Sequence, residues 1–214
     1  MSFYLDPIFD FEKALAKYTG APYAIVTDSC THALELCFIY SNVKECQFTA
    51  YTYIGILMLM HKLNIKYSLT DERWSGEFRF HKTNIFDSAR KLQKNMYISG
   101  QFQCLSFGTT KPLEIGRVGA ILTDNKDAYE KLSMMRSDGR NLRDESWQKS
   151  QFIDSVEYQS KLTWGNQRHF NIGYHYCPTI SDCKRGLELL KNFKSSSQTV
   201  AYSDCRLIHI SNAS

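Results

Sequence analysis

Several absences narrow what this chain of 214 residues can be. It has only four prolines and 11 glycines, too few for a loop-built or repeat protein. It has no C-x-x-C pair, and no Cys/His spacing suits zinc, so no metal site is expected. The seven cysteines, at Cys30, Cys37, Cys46, Cys104, Cys177, Cys183 and Cys205, are an odd number. Reduced thiols in a cytoplasmic protein are the simplest reading. No basic stretch followed by an apolar one opens the sequence, so no signal peptide is expected. The longest apolar stretch, 54–60, is far short of the roughly 18 residues a membrane span needs. There is no basic run, and a net charge of +4 is too small to argue for nucleic acid.

What is present is ordinary globular composition. Hydrophobic residues make up 43% and charged residues 22%, which excludes disorder as the main state. At about 150 residues per domain, one domain is the default and two small ones are possible. Residues 9–18 have helical spacing, with Phe11, Leu15 and Tyr18 on one face and Gly20 as the stop. Residues 23–27 read as a buried strand, and 31–40 as a helix. Strands are then expected at 47–50 and 65–69, with an apolar helix at 53–63 between them. Further strands are expected at 84–86, 103–107 and 118–123. A helical turn should follow Asp87, and helices should span 126–136 and 179–193. Residues 140–165 read as a long loop, and the last twenty residues have no clear pattern. Strands alternating with helices predict an α/β protein with a mostly parallel central sheet flanked by helices.

Three features sit at element ends, where α/β proteins keep their ligands. The first is the turn Asp28-Ser29-Cys30-Thr31 between a strand and a helix. Free N–H groups and the helix dipole there favour a phosphate, although a Ser or Thr before a helix is more often only a cap. The second is Asp87, ending the strand-like TNIFD, where a carboxylate could pair with a cationic ring nitrogen or simply cap a helix. The third is the stretch Ser106-Phe107-Gly108-Thr109-Thr110-Lys111. A lysine held in a turn of small residues can form a Schiff base with an aldehyde if its pKa is lowered. Alone, a loop lysine is usually solvent-exposed. Together, a phosphate cradle, a ring-nitrogen acid and a Schiff-base lysine are what pyridoxal 5′-phosphate requires.

In these motifs the sequence resembles the DegT/DnrJ/StrS aminotransferases, in the right order from about Phe11 to Phe193. FEKALAKYTGAPYAIVTDSCTHALEL is similar to the family's opening helix, strand and phosphate turn, with Ser29, Cys30 and Thr31 at that turn. AYTYIG resembles the segment whose aromatic residue stacks on the coenzyme ring, which implies that role for Tyr53. NIFDSAR places Asp87 at the ring-nitrogen acid and Arg90 near the ring hydroxyl. SFGTTKPLEIGRVGAI is the most specific match. It implies a phosphate contact for Ser106 and the Schiff base for Lys111. GYHYCPTISDCKRGLELLKNF resembles the segment that reaches into a neighbouring subunit's site, where His175 would complete the phosphate contacts.

The departures are Cys30 for a Gly, Arg90 for a Gln and His175 for an Asn. Too few residues separate Tyr67 from Asp87 for the strand and helix the family places there, which should open part of the sheet and substrate pocket. Little of the family's C-terminal small domain is expected, since some twenty residues follow Phe193. The resemblance implies the large domain of fold-type-I pyridoxal-phosphate transferases over 1–195, with a short C-terminal segment at 196–214. It implies a cytoplasmic homodimer with shared active sites. Catalysis would rest on Lys111 and Asp87, with amino transfer to a keto-sugar or nucleotide-linked acceptor. A decarboxylase, racemase or related reaction on the same coenzyme stays open, as does a non-catalytic scaffold. Arg140 or Arg168 could contact a substrate anion, and exposure is the simpler reading of each. His32, His61 and His81 have no partners of metal type. Trp74, Trp147 and Trp164 could line a pocket or interface.

Overall fold

A computed structural model describes residues 5–144 and 170–211. Arg168, Trp147, Trp164 and most of the long loop expected at 140–165 lie outside them.

Helix α1 (Asp6–Thr19) carries Pro7 in its first turn, which costs nothing where no intrahelical acceptor exists. It stops at Gly20, which is left-handed with φ 77°, its N–H donating to the Ala16 carbonyl. Then follow β1 (Tyr23–Thr27), α2 (Cys30–Tyr40), β2 (Glu45–Thr49), α3 (Ile54–Lys62) and β3 (Lys66–Thr70). Four short or medium strands come next: β4 (Phe78–Arg79), β5 (Ile85–Asp87), β6 (Lys91–Leu92) and β7 (Phe102–Ser106). The chain continues through β8 (Gly119–Thr123), α4 (Lys126–Met135), α5 (Ile180–Lys191) and β9 (Ser196–Ser197), and a 3-10 turn covers Cys205–Leu207.

The main sheet has the order β1-β8-β7-β5-β4, and β2 pairs with β3 in a second sheet. Among the described residues a single antiparallel bridge, Gln47 to His81, joins the two. The α/β architecture with flanking helices is therefore present, but the sheet is mixed rather than mostly parallel. β1, β2, β3, β5 and β7 all run in one direction. β8 and β4 run against them, so β1–β8, β7–β8 and β4–β5 are antiparallel ladders, while β5–β7 and β2–β3 are parallel. Periodicity shows that a strand is buried, not which way its neighbour runs.

The short connection between Tyr67 and Asp87 is filled by the β4–β5 hairpin. Phe78 pairs with Asp87 and the His81 N–H donates to the Gln47 carbonyl, so the hairpin occupies the gap between β5 and β2. After Asp87 the expected helical turn is absent. The Lys91 N–H donates to the Ser88 carbonyl in a tight turn, and β6 then pairs with β9.

Strand alternation divides the core into two layers. Ile25, Cys104 and Ile121 face α2 and α3, with Leu34, Phe38, Phe48 and Met60. Ala24, Val26, Leu105, Ala120 and Leu122 face α1 and α5, with Phe11, Leu15 and Leu190. All of the named core side chains are buried. α1 can approach α5 closely because Gly186 has no side chain, and a Cβ there would lie 2.7 Å from the Phe11 ring. The segment after α5 returns to the body, burying Cys205 and stacking Tyr202 on Trp74 at 5.6 Å. Among the described residues no helix is long and apolar enough to cross a membrane.

Candidate active site

The sheet brings four chain segments to one edge. β1 ends at Thr27, opposite Gly119 at the start of the reversed strand β8, and Gly119 is also opposite Ser106 at the end of β7. Asp87 ends the adjacent parallel strand β5 and pairs with Cys104 of β7. The loops leaving these ends enclose a cavity of about 340 Å³. That lies in the range of small-molecule sites, roughly 300–1,000 Å³.

Ser29, Cys30, Thr31, Tyr53, Asp87, Arg90, Ser106 and Lys111 all line this cavity. His175 does not. Its side chain is 85% exposed and its Nδ1 is 3.0 Å from Asp138. Arg140 also lies elsewhere, donating to the Ser137 carbonyl and to Asp138.

The turn before α2 is built for an anion. Ser29 is the N-cap, and its Oγ accepts from the His32 N–H at 3.2 Å. The amides of Cys30 and Thr31, in the first turn, have no intrahelical acceptor. They lie at the positive end of the helix dipole. The turn rests on β8 at a glycine, where a Cβ on Gly119 would come within 2.2 Å of the Ser29 backbone. His32 pairs with Asp28 and stacks on Tyr176, with ring centroids 3.6 Å apart. That fixes the first helical turn from its outer side.

Lys111 is held by a loop that leaves β7. Its N–H donates to the Gly108 carbonyl, and Thr110 takes the left-handed region with φ 68°. The Thr110 N–H donates to Glu114. Burial lowers the Lys111 pKa and the nearby Arg90 cation lowers it further, while Asp87 and Cys30 act in the opposite direction. Asp87 is only 5% exposed. Burial pushes its carboxyl up to about 6, against the Ala89 N–H that donates to Oδ1 and against the Lys111 and Arg90 charges. Burial also raises the Cys30 thiol, so it is no thiolate nucleophile.

These groups fit a phosphorylated pyridine aldehyde. The Ser106 and Thr31 hydroxyls and the Lys111 amine have no side-chain hydrogen-bond partner among the described residues, so their bonding capacity is available to a ligand. Ser106, the start of α2, the buried acid and the amine all line the one cavity. Tyr53, 57% exposed, stands at the mouth as N-cap of α3.

Two lining residues, Trp74 and Tyr202, and Gly119 beneath the turn before α2 have no fixed role in the sequence reading. Trp74, whose Nε1–H donates to the Tyr51 carbonyl at 2.7 Å, was open between pocket and interface. Gly119 is visible in the sequence as a glycine at a strand start, without its reason. Tyr202 lies in the unpatterned last twenty residues, and local sequence gives no signal for it. Arg90 lines the cavity, but its Nε donates to the Tyr202 hydroxyl and its Nη1 to the Thr110 carbonyl.

Comparison with known proteins bears on the fold and the family. No curated protein sequence matches the chain. Among solved structures, it is similar to Helicobacter pylori PseC, an aminotransferase of pseudaminic acid biosynthesis, with a TM-score of 0.63 and 17% identity over 86% of this chain and 57% of that one. It is similar to the sugar aminotransferase CalS13 from Micromonospora echinospora, with a TM-score of 0.67 and 14% identity over 87% and 60%. It is also similar to a DegT DnrJ EryC1 StrS aminotransferase from Brucella abortus, with a TM-score of 0.67 and 14% identity over 90% and 60%. The chain thus spans under two thirds of the length of these proteins and shares the fold of that part. A family model matches residues 6–71 and 89–167, leaving out the hairpin stretch and Asp87. With a match over more than half its length, the chain belongs to the DegT/DnrJ/EryC1/StrS aminotransferase family.

Proposed function

We propose that the chain is a pyridoxal-phosphate-dependent aminotransferase acting on a keto-sugar or nucleotide-linked acceptor. The observation that carries this reading is that Lys111 and Asp87 line one cavity together with Ser29, Cys30 and Thr31 at the start of α2. Bound there, pyridoxal phosphate would supply an electron sink for the bond cleaved at the amine-bearing carbon of a substrate.

The chain's own residues supply the rest. The amides of Cys30 and Thr31, with the hydroxyls of Ser29, Thr31 and Ser106, would hold the phosphate. Lys111 Nζ would hold the aldehyde carbon. Its lowered pKa raises the fraction of neutral amine, which can attack that carbon or carry a proton. Asp87 would pair with a protonated ring nitrogen. A cation there would favour its ionised form and offset the burial that now pushes the carboxyl up. Tyr53 would cover the ring. Residues 1–195 would form the coenzyme domain and 196–214 a segment applied to it. Two cytoplasmic copies would share sites, with the partner's loop bringing His175 to the phosphate.

The test is an absorbance spectrum of purified protein with added pyridoxal phosphate, followed by borohydride reduction and mass mapping. The expected result is a visible band and a tag on Lys111 that Lys111→Ala abolishes. A tag spread over surface lysines would overturn the reading. An amino donor that never yields its keto acid would move the reaction to another class on the same coenzyme.

A further inference from the structure

We propose that Arg90 is a positioning residue for Lys111, held in that role by Gln198 and Tyr202, so that the C-terminal segment is a functional part of the site. The inference rests on the reading above only in giving Lys111 a task.

The chain of contacts is continuous. Arg90 follows β5, is 8% exposed and lines the cavity. Its Nη1 donates to the Thr110 carbonyl at 2.7 Å and reaches Thr110 Oγ1 at 3.3 Å. The carbonyl it grips belongs to the peptide that leads into Lys111. Thr110 is a β-branched residue at φ 68°, a conformation that L side chains rarely adopt. Such a backbone persists only when its surroundings over-determine it, and the guanidinium bond is one such constraint.

The other side of Arg90 is held from the C-terminal segment. Its Nε donates to the Tyr202 hydroxyl at 3.1 Å, and Nη1 also reaches Gln198 Oε1 at 3.3 Å. The Gln198 N–H donates to the Arg90 carbonyl at 2.9 Å, in line with the β6–β9 ladder. Tyr202 is itself fixed by stacking on Trp74 at 5.6 Å and 16°. Gly76 lets these layers close, since a Cβ there would lie 2.4 Å from the Ser197 hydroxyl.

All the acceptors found for Arg90 are neutral, and it makes no ion pair among the described residues. A buried cation without a carboxylate partner projects its field on its neighbours. Lys111 faces Arg90 after β5, Asp87 at the end of β5 and Cys30 at the start of α2. Asp28 and Arg117 stand at the same cavity, Tyr53 at its mouth, and Glu114 on the lysine's own loop. Of these, Arg90 is the cation acting on the amine.

The test uses the full chain without added coenzyme. Lys111 is trace-labelled with acetic anhydride across a pH series and quantified by peptide mass, and amide exchange is followed in the 108–111 turn. Arg90→Gln should raise the midpoint of Lys111 labelling by about one pH unit, which is about tenfold less labelling near neutrality. Tyr202→Phe removes one hydroxyl and should speed exchange in the turn about fivefold or more, by freeing Arg90. If Arg90→Gln does not fold, Tyr202→Phe decides alone. An unchanged midpoint in folded Arg90→Gln, or unchanged exchange in Tyr202→Phe, would overturn the inference. If labelling shifts as expected while borohydride places no coenzyme on Lys111, the positioning role stands and the proposed function fails. If coenzyme is fixed on Lys111 and neither variant changes the turn, the reverse holds.

Discussion

A Cβ added to Gly119 would lie 2.2 Å from the carbonyl carbon of Ser29 and 2.3 Å from the Cys30 nitrogen. Both obstacles are backbone, so neither can swing aside. Gly119→Ala should push the start of α2 off β8. We expect a loss of about 1–3 kcal/mol from overpacking. Inorganic phosphate should raise the melting temperature of the parent and leave that of the variant unchanged. Equal phosphate stabilisation of both proteins would show that the turn does not bind the anion.

That contact also marks the limit of what could be read from the sequence. Ser29, Asp87, Ser106 and Lys111 could be named because strand ends are visible as changes of hydrophobic pattern. That Gly119 is opposite both Thr27 and Ser106 depends on β8 running against its neighbours, which no local pattern records. Strand β5 matches the strand expected at 84–86, but its hairpin partner β4 carries no signal, for another reason. A two-residue strand carries too few alternations to show a period. Tyr202 reaches the cavity through one side chain on an irregular segment, and only tertiary contact identifies it. Glu12 lies on the face of α1 that was read from Phe11 and Leu15, yet it is buried with them at 2% exposed.

Asp87 should make folding pH-dependent. Its carboxyl is pushed up to about 6 in the fold, from an ordinary value of 3.8. Between those values the folded protein binds more proton than the unfolded chain, so stability falls as pH rises. The loss is complete above the folded pKa and amounts to roughly 2–3 kcal/mol. Asp87→Asn keeps the shape and the Ala89 N–H bond without the charge. It should be more stable than the parent at neutral pH, and equal to it below about pH 4. Urea unfolding at several pH values measures this. A variant equally stable, or less stable, at neutral pH would show that Lys111 and Arg90 already neutralise the cost of burial.

Glu12 and Arg136 form an ion pair in which both side chains are almost fully buried. Glu12 also accepts from the Val26 N–H at 3.1 Å, and Arg136 donates to the Val26 carbonyl. The pair therefore ties α1 and the end of α4 to β1. Glu12→Ala would leave the guanidinium buried without its carboxylate, at an expected cost of about 3–5 kcal/mol. Glu12→Gln, which can still accept from Val26, should cost less. Chemical denaturation gives both values. A loss under about 1 kcal/mol in Glu12→Ala would mean that Arg136 finds water or another anion when its partner is removed.

Gly55 poses a different test, because the obstacle is movable. A Cβ there would meet the Tyr53 ring at 2.5 Å, and that ring is more than half exposed. The ring can turn away, so Gly55→Ala should leave the fold intact, with the helix gaining up to about 1 kcal/mol from alanine. What it should lose is the ring's place at the cavity mouth. If Tyr53 covers the coenzyme, affinity for pyridoxal phosphate should fall about two- to tenfold, the worth of one aromatic contact. The decisive comparison is the double variant. In a Tyr53→Ala background the added methyl has no ring to displace, so Gly55→Ala should then change affinity no further. A second, additive loss would mean that the methyl acts on the cavity by another route and that Tyr53 is not the group it moves.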